Sequence, residues 1–113
     1  MKKFTNIAAQ GDFIIRRIKE LPEGVTEVHP KDGVFIVAHS ETGHHHVIEA
    51  DGVRAYTPTR PDIYKMFLGV DKPTAIKHLR SFDTHETLGL DAGIFEIKRQ
   101  REYTPQGFRR AQD

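Results

Sequence analysis

Histidine gives this chain its chemical interest. Five of the seven histidines, His39, His44, His46, His78 and His85, lie between residues 39 and 85 at positions able to converge. A neutral imidazole ligates divalent metals through either ring nitrogen. Several imidazoles on one rigid face, with one coordination position left open, is how catalytic or substrate-binding zinc is often held. The chain has no cysteine, so disulfides and thiolate nucleophiles are excluded and any metal site must draw on His, Asp and Glu.

Strand pairing decides whether these rings meet. Residues 34–39 (Val-Phe-Ile-Val-Ala-His) form the strongest strand pattern, Ser40-Glu41-Thr42-Gly43 reads as a turn, and residues 44–50 as the return strand. Opposed residues of an antiparallel hairpin have numbers of constant sum. A turn at Glu41-Thr42 therefore sets His39 opposite His44, Val37 opposite His46 and Phe35 opposite Ile48. Opposed residues share a face and successive residues alternate. Phe35, Val37, His39, His44, His46 and Ile48 are thus expected on one side, with His45, Val47 and Glu49 on the other. A slip of one residue would break the set.

His85, in Asp83-Thr84-His85-Glu86, or His78 just before it, would complete the site, with Asp83 and Glu86 placed to orient His85. Zinc is the first expectation for the metal, although imidazole also suits Fe, Cu, Ni and Mn. If the chain is an enzyme, metal-activated water or metal-bound substrate would carry the chemistry; no catalytic group is assigned. The same residues also fit a solvated or proton-sensing cluster without metal. His29, beside Pro30, reads as surface.

A second candidate lies near the C-terminus. If residues 98–103 are extended, Arg99, Arg101 and Tyr103 share one face and Lys98, Gln100 and Glu102 the other. An arginine pair of this kind can hold an anionic ligand or phosphate; a solvated, charged strand edge reads the same way. No glycine-rich phosphate loop is present, and Ser40 beside His39 lacks a nucleophile-elbow setting.

The positioning elements read as mostly β. Strand patterns fall at residues 13–18, 34–39, 44–50, 53–56, 63–70, 74–80 and 94–100, the sixth of which also admits a short helix. Gly, Pro and Asp turns separate them, with Asp51-Gly52 a tight hairpin signal. Phe95 and Ile97 share a face in the last strand, with Lys98 outward. The first ten residues show no clear period, and residues 83–93 read as a loop carrying Leu88 and Leu90. The expectation is a small antiparallel β-barrel or sandwich, with residues 1–104 as a single β domain and 105–113 as a polar tail.

At 113 residues one core is expected. Seventeen basic against sixteen acidic side chains give a net charge of +1, which does not favour a nucleic-acid or membrane-surface protein. The basic start is followed by a segment too short and too polar for a signal peptide, so a cytoplasmic protein is expected. Partners stay open between a second copy of the chain and another protein.

Gly43-His44-His45-His46-Val47-Ile48-Glu49 resembles the first motif of cupins, in which Gly precedes His-x-His and a Glu follows. The shorter spacer here puts Glu49 on the opposite face from His46, so the resemblance implies a smaller barrel with a similar local site. The whole chain also resembles a group of uncharacterised small proteins of bacteria and their phages. The matching elements are Gly11-Asp12, Thr42 to His46, the segment from His78 to His85, and Arg99 to Pro105. That resemblance carries no activity. It leaves room for a rival reading, a non-enzymatic structural or interaction module such as a particle component.

Overall fold

The structure, a computed structural model, describes residues 2–10, 13–38, 45–60, 62, 64–78 and 87–99. Eleven strands are found among them: β1 (Lys2–Lys3), β2 (Ile7–Gln10), β3 (Phe13–Ile18), β4 (Val25–Val28), β5 (Val34–Ala38), β6 (His46–Glu49), β7 (Val53–Pro58), β8 (Lys65–Val70), β9 (Thr74–His78), β10 (Leu88–Leu90) and β11 (Gly93–Arg99). No helix of the described residues is long and apolar enough to cross a membrane.

The strands form two open sheets, one in the order β1-β10-β9-β6-β5 and one in the order β2-β3-β11-β8-β7-β4. Among the described residues each sheet ends in an edge strand on both sides, and neither closes into a barrel. All pairings are antiparallel except β1 with β10.

One core serves both sheets. Phe35, Ile48, Ile76, Leu88 and Leu90 come from the first, and Phe13, Ile15, Leu68, Phe95 and Ile97 from the second. Alternation selects them: Phe95 and Ile97 are fully buried while Lys98 is exposed, as the sequence pattern requires.

Three sequence expectations need correction, and one further strand has no counterpart among them. The N-terminal lead-in contains strands β1 and β2, because pairing with β10 and β3 overrides the weak β-propensity of Lys and Ala. The segment read as a loop over 83–93 contains β10, whose Leu88 and Leu90 are buried against the core. Val25–Val28 forms a strand against β7 that no strong pattern announces. Asp51-Gly52 is a turn, with Val53 N–H donating to Ala50 O at 3.0 Å and Gly52 at φ 74°, but it carries the chain from one sheet to the other. A turn signal specifies reversal, not which strand becomes the neighbour.

An arginine stands at each end of the core. The core-side row of β3 is Phe13, Ile15, Arg17, and that of β11 is Phe95, Ile97, Arg99. Their register sets Arg17 opposite Phe95 and Phe13 opposite Arg99. Arg17 lies over the Phe95 ring at 4.8 Å and donates to Thr5 O and Ala92 O, each at 2.9 Å.

Candidate functional site

The site is built where β5, β6, β9 and β11 meet at the Arg99 end of the core. Val34 faces Glu49, Phe35 faces Ile48 and Ile36 faces Val47, as the hairpin arithmetic requires. The ladder then shifts by one residue, and Ala38 stands opposite His46. The expected pairing of Val37 with His46 is thus replaced by a β-bulge. A bulge leaves one residue out of the ladder and bends the strand. Here that residue is Val37, whose side chain is fully buried and whose carbonyl accepts from Arg99 Nε at 2.7 Å. Unbroken register, on which the joint face of residues 39, 44 and 46 was reasoned, does not hold beyond Ile36. His39 and His44 themselves lie outside the described residues, as does His85.

His46 is buried, 3% exposed, and meets the Phe13 ring edge-on with centroids 5.1 Å apart and planes at 84°. Across the β6–β9 ladder its partner position is His78, followed by Val47 with Lys77 and Ile48 with Ile76. Two histidine positions are therefore in direct cross-strand register. The sequence offered His78 only as an alternative to His85 and gave no pairing for it. His45, just before β6, is half-buried, and His29 is exposed as expected.

Arg99 brings a half-buried guanidinium to this end. Besides the Val37 carbonyl, its Nη2 lies 3.2 Å from Met66 Sδ, and its backbone N–H donates to Tyr64 O at 2.8 Å. Burial pulls the guanidinium below the ordinary arginine pKa, with Asp62 acting in the opposite sense. The anion-holding set of Arg99, Arg101 and Tyr103 is described only at Arg99, the other two lying outside the described residues. Its guanidinium is turned inward to the bulge.

A charged group that sequence reasoning missed lies on the outer face of the second sheet. Glu96 is 8% exposed and accepts from Arg16 Nη2 at 2.8 Å, with Lys65 Nζ at 4.0 Å. The signal was the cross-strand placement of Arg16, which only the β3–β11 register makes visible. Among the described residues, no group of three or more His, Asp and Glu is arranged to hold a metal ion.

Residues 9–100 match a family model described as a domain of unknown function, DUF8820. The chain belongs to this family. The DUF8820 match runs from within β2 to one residue past β11, so it leaves out β1 and the first half of β2 but takes in the other strands, the bulge and every candidate histidine. Arg101 and Tyr103 fall beyond it. No curated protein and no solved structure matches the chain.

Proposed function

We propose that this DUF8820 protein binds a divalent metal ion, zinc first, at the Arg99 end of a two-sheet β-sandwich. His46 and His78 would supply the first imidazoles, and His39, His44 and His85 are the candidates to complete the set. The observation that carries the reading is the cross-strand register of His46 and His78. Directly opposed positions of an antiparallel pair bring Cβ atoms to about 5 Å, a span two imidazoles can close around one ion. The chain segments bearing His39, His44 and His85 connect the ends of β5, β6, β9 and β10.

The test is elemental analysis of untagged protein purified without chelator, with thermal unfolding in Zn²⁺ and in excess EDTA. Near-stoichiometric metal and a higher midpoint with Zn²⁺ are expected, because a ligand at a hundredfold its Kd stabilises by about 2.7 kcal/mol. The double variant His46→Gln, His78→Gln should lose both. Metal content near zero in wild type, with no shift on adding Zn²⁺, Ni²⁺, Mn²⁺ or Fe²⁺, overturns the proposal without any variant.

A second reading has its own observation. The burial of His46 and its edge contact with Phe13 suit a core imidazole in a non-enzymatic structural or interaction module. Under it, the His46 variant lowers stability equally with and without metal.

A further inference from the structure

Two open sheets have four edge strands, and three of these carry a device that discourages further pairing. β1 is two lysines long. β4 carries Glu27 and runs into His29-Pro30. β5 has its Val34 N–H and C=O taken by Lys31, at 3.1 and 3.0 Å, and is bent by the bulge at Val37. The fourth edge, β2, reads Ile-Ala-Ala-Gln, with no charge, no proline and no irregularity in its ladder. It also bears the most exposed large apolar side chain of the described residues, Ile7 at 60%.

The direction of its backbone groups follows from one hydrogen bond. Arg17 N–H donates to Asn6 O at 2.7 Å, which makes 6/17 a hydrogen-bonded pair of the β2–β3 ladder. Such pairs alternate with non-bonded ones, so Ala8 with Ile15 and Gln10 with Phe13 bond inward. Ile7 and Ala9, opposite Arg16 and Ile14, therefore direct both their N–H and C=O groups away from β3. Among the described residues β2 has no neighbour on that side.

We propose that β2 pairs antiparallel with β2 of a second copy of this chain, around a two-fold axis at Ala8, joining the two six-stranded sheets into one. This register sets Ile7 opposite Ala9 of the partner and Ala9 opposite its Ile7. Both are hydrogen-bonded pairs, so all four outward groups of each strand are used. Ala8 faces Ala8 at the axis, where a non-bonded pair brings backbones closest and small side chains fit. Asn6 faces Gln10, and no like charges meet across the pair. Centring instead on Ile7 would call on Thr5 O, which already accepts from Arg17 Nε. An isologous contact of this kind closes at two copies.

The test is sedimentation velocity of the full-length, untagged chain from low micromolar to near-millimolar concentration, together with amide exchange at Ile7 and Ala9. Dimer at twice the 12.9 kDa chain mass is expected, with protection of both amides rising with concentration. Ala9→Pro removes only an outward N–H, the position proline tolerates at an edge. It deletes two symmetry-related hydrogen bonds and should raise the dimer Kd about tenfold or more, with the monomer's thermal midpoint as the folding check. Ile7→Lys, a charge on the edge, should do likewise without altering the backbone. A monomer at every concentration overturns the proposal. So does protection independent of concentration, which would mean that the chain covers its own edge, or a dimer that both folded variants leave unchanged.

Discussion

Replacing Arg99 by leucine tests how the bulge is held. The Val37 carbonyl is the acceptor left over when the β5–β6 ladder slips, and Arg99 Nε reaches it at 2.7 Å from the opposite sheet. A hydrogen bond from a charged donor contributes about 1.5–3 kcal/mol, and its loss leaves a carbonyl beside the fully buried Val37 without that donor. Burial of the guanidinium works against this, as the lowered pKa of Arg99 shows, so a smaller loss would mean that leucine recovers desolvation energy. A net cost of about 1.5–3 kcal/mol corresponds to a fall of roughly 6–12 °C in Tm for a domain of this size. Thermal unfolding measures the cost, and amide exchange locates it. Ala38 and His46, next to the bulge, should exchange faster, while Phe35 and Ile48 keep their protection. Arg99→Lys keeps the charge and most of the stem but lacks the Nε donor, and should recover less than half of the loss. An Arg99→Leu protein as stable as wild type, or more so, refutes the reasoning.

Gly93→Ala should cost about 1–3 kcal/mol by thermal unfolding, since φ there is 157° and an added Cβ would crowd Nη1 of the Arg17 guanidinium, a group held in place by Ala92 O at Nη1, by Thr5 O at Nε and by the Phe95 ring. In an Arg17→Ala background the cost should shrink, and an equal cost in both would mean that the guanidinium is not the obstacle. Asp71, exposed and hydrogen-bonded by Arg54 at 2.8 Å, has its pKa lowered by that bond. Its stabilising contribution is therefore present above the ordinary carboxylate pKa and lost as pH falls through the lowered value. Urea unfolding of Asp71→Asn against wild type should show a difference at neutral pH that closes in acid, and a difference that widens in acid would contradict the sign.

Alternation along single strands was readable because it needs only one strand at a time. Phe95 and Ile97 could be placed on one face, and Lys98 on the other, before any pairing was known. Register was readable only as far as the ladder is regular. Phe35 opposite Ile48 follows from the turn, but the slip after Ile36 does not, because its stabilising partner is Arg99, sixty-two positions away and in the other sheet. The same non-locality hid His78 opposite His46, Arg16 beside Glu96 and the strand character of Leu88–Leu90. Each depends on a neighbour that no local pattern names.

The two ends of the core differ in how the strands are connected and in what the arginine does. β3 and β11 present the same pattern in opposite directions, so each end receives one arginine and one phenylalanine. At the Arg17 end, β6 to β7, β8 to β9 and β10 to β11 are joined by residues 50–52, 71–73 and 91–92, with the five residues 29–33 between β4 and β5. Turns that short leave little chain beyond the strands. At the Arg99 end residues 11–12 join β2 to β3, and the longer connections are residues 39–45, 59–64 and 79–87, the first and last of which contain His39, His44, His45 and His85. Binding chemistry concentrates on the longer loops that a rigid scaffold holds, and the arginines differ accordingly. Arg17 is spent on closing a short-turn end over Phe95, whereas Arg99 braces the bulge from which residues 39–45 depart. A metal site at the Arg99 end would therefore inherit a strand end fixed by Arg99, and loosening that bulge should weaken metal uptake more than an equally destabilising change beside Arg17.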